Sequence, residues 1–148
     1  MSSNGARAWK AMFSLLQSQK AWMAGRMVQF DLTLQQAHAL HILGELEETT
    51  MSTFASSMFC DASNATGLID RLVTRGLVER RPAPGDRRAK VVRLTAAGRR
   101  LERKIDAAQT AEPPPAIAAL SAADQRALRE ILERAVALGD EAEREKTA

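Results

Sequence analysis

Two histidines, one cysteine and a run of arginines are the residues most able to do chemistry in this chain of 148 residues. His38 and His41 are three apart, a spacing that lets two imidazoles share a metal. No third ligand is apparent nearby and there is no H-E-x-x-H pattern, so no metal is expected. The alternative is two partly buried histidines beside the first helix. Cys60 is the single cysteine and precedes a helix, where a thiol pKa can fall and redox sensing becomes conceivable. The other reading is a small core residue. The sequence has no Gly-rich phosphate loop, no G-x-S-x-G and no nucleophile–base spacing. Acids are scattered and usually four from a base, as on solvated helix faces. No catalytic residue and no cofactor is expected, and the chain does not read as an enzyme.

The arginines read differently. Residues 61–100 hold ten Lys/Arg against four Asp/Glu, a net of +6, whereas the whole chain is +3. Charge focused in this way is a footprint for phosphate rather than a solubilising coat. Within that stretch Ser63, Asn64, Thr66, Gly67, Asp70, Arg71, Thr74 and Arg75 share one helical face. Short hydrogen-bonding groups come first and arginines last. That order suits a helix that enters a major groove, with Ser63, Asn64 and Thr66 on base edges and Arg71 and Arg75 on phosphate. A surface helix with ordinary polar residues is the competing reading. Farther on, Asp86, Arg87, Arg88 and Lys90 sit in or beside the loop PAPGDRRA, where two prolines and a glycine forbid helix. A guanidinium on a projecting loop can enter a minor groove, and Asp86 could fix its direction.

Positioning these residues requires several elements. Ala62, Ala65, Leu68, Ile69, Leu72 and Val73 form the apolar face of the DNA-reading helix, with Asp61 or Ser63 as N-cap and Gly76 as its stop. Leu77 to Arg81 and Lys90 to Leu94 read as two strands. Residues 6–30 read as one long helix. Trp9, Phe13, Leu16, Lys20, Met23, Met27 and Phe30 step along it as a coiled-coil-like seam broken by Lys20. A second helix capped by Thr33 runs to about Glu48 with Leu34, Ala37, Leu40, Leu43 and Leu46 inward. After a connector from Thr49 to Thr53, a short helix near 52–59 turns Phe54, Ala55 and Met58 to the core, and Phe59 to Ala62 makes a tight turn. Thr95 caps a further helix that weakens before Pro113-Pro114-Pro115. The last helix starts near Ser121, carries Leu128, Ile131, Leu132, Ala135 and Leu138 as its stripe, and ends in a tail expected to fray.

Composition bounds the class. Hydrophobic residues at 45% and charged residues at 26% fit one globular domain. Aromatics at 4% with no tyrosine argue against an RNA-stacking platform. No apolar run approaches the ~18 residues of a membrane span. The start lacks the apolar core of a signal peptide. With one cysteine, a reducing cytoplasmic location is expected.

The helix followed by Arg75-Gly76-Leu77-Val78-Glu79-Arg80-Arg81, the Gly85-Asp86-Arg87-Arg88 loop and Val91-Val92-Arg93-Leu94-Thr95-Ala96-Ala97-Gly98 together resemble the MarR family of winged helix-turn-helix regulators. The similarity reaches from Leu32-Thr33-Leu34-Gln35-Gln36 to Leu120-Ser121-Ala122-Ala123-Asp124. The resemblance implies an α+β, mostly α fold in a single domain over residues 1–148. Residues 6–30 and 113–144 would be dimerisation helices and 33–110 the winged helix-turn-helix lobe with its following helix. It implies a homodimer on double-stranded DNA with a near-palindromic operator, in most members a repressor, and often release by a small ligand. Arg88 matches the arginine of the wing motif. Gly67 departs from the bulkier, often basic residue common there in relatives. A family ligand site would fall near Trp22, Arg26, Phe30, His38 and His41, and would suit a small aromatic or anionic molecule. Peroxide-sensing members carry their cysteine in the first helix, where this chain has none. A winged-helix protein-interaction module, or a redox- or metal-responsive regulator of the same fold, are the alternatives.

Overall fold

The computed structural model describes residues 3–147, apart from the side chains of residues 87–89, 143 and 147. The elements in order are α1 (Asn4–Met27), a 3-10 turn (Val28–Phe30), α2 (Leu34–Leu46), β1 (Glu48–Thr50), α3 (Met51–Ser57), α4 (Ala62–Thr74), β2 (Val78–Ala83), β3 (Asp86–Leu94), α5 (Ala96–Ala111), α6 (Pro115–Ala118) and α7 (Ala122–Thr147). They divide into two compact units, one from Lys20 to Ala111 and one made of the residues up to Gln19 and from Glu112 on.

The central unit is held by one apolar core. Phe54, Leu40, Leu43, Leu68, Ile69, Leu72, Val78, Val92 and Met27 are at most 2% exposed. Burying one such side chain contributes about 1.5–3 kcal/mol, so this cluster outweighs any surface contact in the unit. Each helix begins on a local signal. Thr33 and Gln36 form a reciprocal capping box on α2. Thr50 caps α3, Asp61 caps α4 through Asn64 N–H at 2.8 Å, and the Thr95 hydroxyl accepts from Gly98 N–H. Of the two candidate caps for α4, Asp61 is the one used. Both α3 and α4 end in the same paired-hydrogen-bond motif, with a left-handed residue just past the helix. Gly76 serves α4 at φ +68° and Phe59 serves α3 at φ +50°.

A three-stranded antiparallel sheet of order β1-β3-β2 closes the unit. The sequence places Glu48 at the end of α2 and Thr49 and Thr50 in a connector. Instead Glu48, Thr49 and Thr50 pair with Arg93, Val92 and Val91. Three residues carry no legible period; β1 exists because β3 offers it an edge. Leu46 is 37% exposed rather than inward, and the buried position is Ala39. Met27, part of the α1 seam by its spacing, is a core residue at 1% exposure. Ala62, on the apolar face of α4 by its spacing, is exposed.

The expected eight-residue loop from Pro82 to Ala89 is a tight ribbon. Ala83 pairs with Asp86 around Pro84 and Gly85, with a register irregularity between Pro82 and Ala83. Gly85 at φ +82° after a proline is the arrangement a type II turn demands. β2 is an edge strand, so Pro82 can sit there without leaving a central ladder bond unmade.

In the terminal unit, Pro113 to Pro115 interrupt the helices as expected, but Pro115 also opens the short helix α6 that the sequence reading missed. Ser121 caps α7, and its hydroxyl donates to the Asp124 carboxylate at 2.6 Å. α7 continues to Thr147, so the tail expected to fray is helical. Large apolar side chains of this unit remain exposed: Trp9, Phe13 and Leu16 on α1, and Ile131, Leu132, Val136 and Leu138 on α7.

Candidate nucleic-acid interface

The outer face of α4 is positioned by its buried side. Ala65, Leu68, Ile69 and Leu72 lock the helix against the core, which fixes the direction of everything opposite. Ser63, Asn64, Thr66, Asp70 and Arg71 are exposed, and Gly67 is half-buried. Their hydrogen-bonding states differ. The Asn64 amide donates to Asp61 Oδ2 at 3.0 Å, which leaves the Asn64 carbonyl oxygen to accept. The Thr66 hydroxyl donates to the Ala62 carbonyl at 2.8 Å, so this group too faces outward as an acceptor. Ser63 has no such commitment among the described residues. This first turn therefore offers acceptors to base amino groups, and the Asn64 amide keeps a second N–H beyond its bond to Asp61, so it can donate as well as accept.

The arginines separate into two kinds. Arg75 was expected on phosphate. Its guanidinium donates to the carbonyl oxygens of Asp31 and Phe30 and lies 3.6 Å from the Asp31 carboxylate. It ties the C-terminal end of α4 to the turn after α1. Arg80 pairs with Asp70 of α4 at 2.6 Å, and Glu79 takes both Arg93 at 2.7 Å and Arg81 at 2.9 Å. These contacts hold the base of the wing to α4 and β2 to β3. The Glu79 carboxyl is held below its ordinary pKa, first by the Arg93 hydrogen bond and then by the charges of Arg81 and Arg93, against partial desolvation. Arg71 and Lys90 are exposed and carry no ion pair among the described residues. Asp86 opens β3 and is exposed. The backbone of Arg87 and Arg88 lies in β3, and their side chains, on which the minor-groove expectation falls, lie outside the described residues.

The five residues nominated for a ligand differ in the contacts they make. Arg26 stacks on Trp22, 4.9 Å from the ring centroid, and donates to the Ala108 carbonyl. The cation that would meet an anionic ligand is thus engaged within the chain. Phe30 packs on the core. His41 faces Glu45 at 3.5 Å and Glu102 at 4.0 Å, and lines a space of about 20 Å³, room for one water. His38 and His41 are both largely exposed, His38 with part of its ring covered. The His38 pKa is lowered by the protein that flanks it, then by His41, with Glu45 opposing. A larger open depression of about 430 Å³ lies beside Arg75, lined by Val28, Asp31, Leu32, Thr33, Gln36 and Arg75, and none of the five nominated residues touches it. Among the described residues no three His, Cys, Asp or Glu side chains converge as a metal site requires. Cys60 is half-buried and packs against the core. No described helix is long and apolar enough to cross a membrane.

Sequence reasoning missed the Arg75–Asp31 and Arg80–Asp70 contacts and the role of Gly98. A Cβ on Gly98 would stand 2.0 Å from the Leu77 carbonyl oxygen. The glycine that closes the V-x-L-T-x-x-G run is therefore where α5 crosses the start of the wing.

A capped helix with a polar outer face, preceded by a short helix and followed by an antiparallel ribbon, defines a winged helix-turn-helix protein. The MarR family model matches residues 32–90. The HTH-type transcriptional regulator YfiV of Bacillus subtilis, itself uncharacterized, is 30% identical over 105 residues, covering 71% of this chain and 66% of YfiV. A probable transcriptional regulator of Pseudomonas aeruginosa of known structure is 32% identical, with a TM-score of 0.65 over 81% of this chain and 92% of that one. Wild-type MarR of E. coli superposes with a TM-score of 0.79 at 21% identity, over 91% of this chain and 98% of that one. A mutant of the same protein complexed with operator DNA gives 0.70 at 24% identity, over 90% and 96%. The chain belongs to the MarR family of transcriptional regulators.

Proposed function

We propose that two copies of this chain bind a near-palindromic operator in double-stranded DNA and repress transcription by occupying it. One observation carries the reading above the others. Ser63, Asn64 and Thr66 stand exposed at the start of a helix whose other face buries Ala65, Leu68, Ile69 and Leu72, so small hydrogen-bonding groups are presented on a rigid edge. Ser63, Asn64 and Thr66 read base edges in the major groove, Gly67 lets the helix backbone approach, and Arg71 and Lys90 hold phosphate. Asp86, Arg87 and Arg88 form the wing, with Arg88 in the minor groove and Arg87 on phosphate. Arg75 acts inside the protein. A mutant of the E. coli relative is complexed with operator DNA, which supports DNA as the partner of this chain.

Selection from a random duplex library, followed by fluorescence anisotropy across a salt series, tests this. Affinity falls steeply with salt, and Arg88→Ala lowers the slope by about one counterion per protomer. Asn64→Ala changes preference among sites by ~1–3 kcal/mol for the lost base contact. Equal weakening on all sequences would remove Asn64 from base reading. Binding that ignores salt, or capture of a protein rather than DNA, would favour an interaction module.

A further inference from the structure

We propose that Phe59 is a specificity-determining DNA contact whose ring packs on thymine methyl groups beside the bases read by the first turn of α4. The inference rests on the DNA-binding reading above and extends it to a residue outside the recognition helix.

The argument starts from a comparison within the chain. α3 and α4 end in the same motif. At α4, Gly76 N–H donates to Val73 at 2.8 Å and Leu77 N–H to Leu72 at 3.0 Å. At α3, Phe59 N–H donates to Ser56 at 3.1 Å and Cys60 N–H to Ala55 at 3.1 Å. The pivot residue must be left-handed in both. α4 places glycine there, which has no Cβ to clash. α3 places phenylalanine at φ +50°, a conformation that bulky side chains rarely adopt. Packing does not offset the strain, because Phe59 is 95% exposed, the most exposed large apolar side chain among the described residues. The ring is thus held in an unfavourable backbone, in water, with no return inside the protein.

Its position says what it meets. Phe59 lies two residues before the N-cap Asp61 and four before Ser63. Four residues span at most about 14 Å of chain, and the turn shortens that. At about 3.4 Å per base pair, the ring falls within about four base pairs of whatever Ser63 reads. The major groove carries one apolar group at its base edges, the thymine 5-methyl, and an aromatic ring is a natural partner for it.

The test uses the full chain on the operator that wild type enriches from the random library. Each thymine is replaced in turn by deoxyuridine, which removes only the methyl group. Wild type loses about fourfold in affinity per half-site at one or two positions flanking the bases read by α4, the worth of one buried methyl group. Phe59→Gly loses the same factor on the unmodified operator and is indifferent to deoxyuridine at those positions. It also melts higher, by about 3 °C, because glycine suits the left-handed pivot. The inference is overturned if Phe59→Gly binds the operator as tightly as wild type, if it stays as sensitive to every deoxyuridine as wild type, or if it melts lower. Should wild type enrich no sequence, the DNA-binding reading itself falls and this inference with it, an outcome distinct from the other three.

Discussion

Gly67 and Gly98 occupy opposite situations. Gly98 is buried on the first turn of α5, where a Cβ would overlap the Leu77 carbonyl. Alanine there must push α5 away from the wing, and neither backbone can yield cheaply. Gly98→Ala is expected to cost about 3 kcal/mol or more, read from the urea midpoint. A Cβ on Gly67 would meet only the Arg71 guanidinium at 3.9 Å, which is ordinary contact at the end of a flexible side chain. Glycine is therefore not demanded there by the protein, and in mid-helix it is unfavourable. Gly67→Ala should raise stability by about 0.5–1 kcal/mol. The same change should weaken operator binding, because a methyl group would stand where the helix backbone approaches the groove. Unchanged operator affinity would show that this position does not face DNA.

At the scale of elements, Arg71 and Arg75 differ by one helical turn and should separate in function. Arg75 joins α4 to the turn after α1 through the Asp31 and Phe30 carbonyls. Arg75→Ala is expected to lower stability by about 1–2 kcal/mol and to leave the salt slope of DNA binding unchanged. Arg71→Ala should do the reverse, with little effect on stability and a smaller salt slope. A reduced slope in the Arg75 variant would place that guanidinium on phosphate after all. The wing ribbon has its own signature in pH. Arg93 and Arg81 hold the Glu79 carboxyl below the 4.5 of an unperturbed glutamate. A depressed folded pKa contributes stability that is complete above the unfolded value and is lost as pH falls through the folded one. Glu79→Gln should therefore narrow the drop in urea midpoint between about pH 6 and about pH 3. An unchanged drop would mean that the Glu79 contacts do not persist in solution.

At the scale of the whole molecule, the exposed apolar residues are unevenly placed. Trp9, Phe13 and Leu16 on α1 and Ile131, Leu132, Val136 and Leu138 on α7 all belong to the terminal unit. Apolar surface gathered in this way favours association, and we propose a two-fold dimer that closes it. Sedimentation should show a dimer at micromolar concentration. Leu16→Glu combined with Leu132→Glu should give a monomer, with the circular dichroism of the lobe retained and operator affinity reduced by at least tenfold. The selected operator should contain two inverted half-sites whose centres lie about 10 base pairs apart, one turn of the duplex. A stable monomer that binds a single half-site as tightly would overturn the dimeric reading.

Much of this architecture was legible because it is written locally. Thr33 with Gln36, Asp61 with Asn64, and Ser121 with Asp124 are partners three residues apart, and a helix start depends on little else. The apolar period of α4 and the positive charge of residues 61–100 are likewise properties of one stretch of chain. Other features depend on residues that meet only after folding. β1 is a strand because β3 pairs with it across more than forty residues. Pro82 can stand in a strand because β2 has a free edge. Arg75 looks like a phosphate contact along its own helix, and becomes a tether because Asp31, 44 residues away, lies beside it. Neither the 95% exposure of Phe59 nor the closeness of Gly98 to Leu77 has a local signature. Caps and periodicity are set by neighbours along the chain, whereas edges, tethers and exposure are set by which distant segments the core brings together.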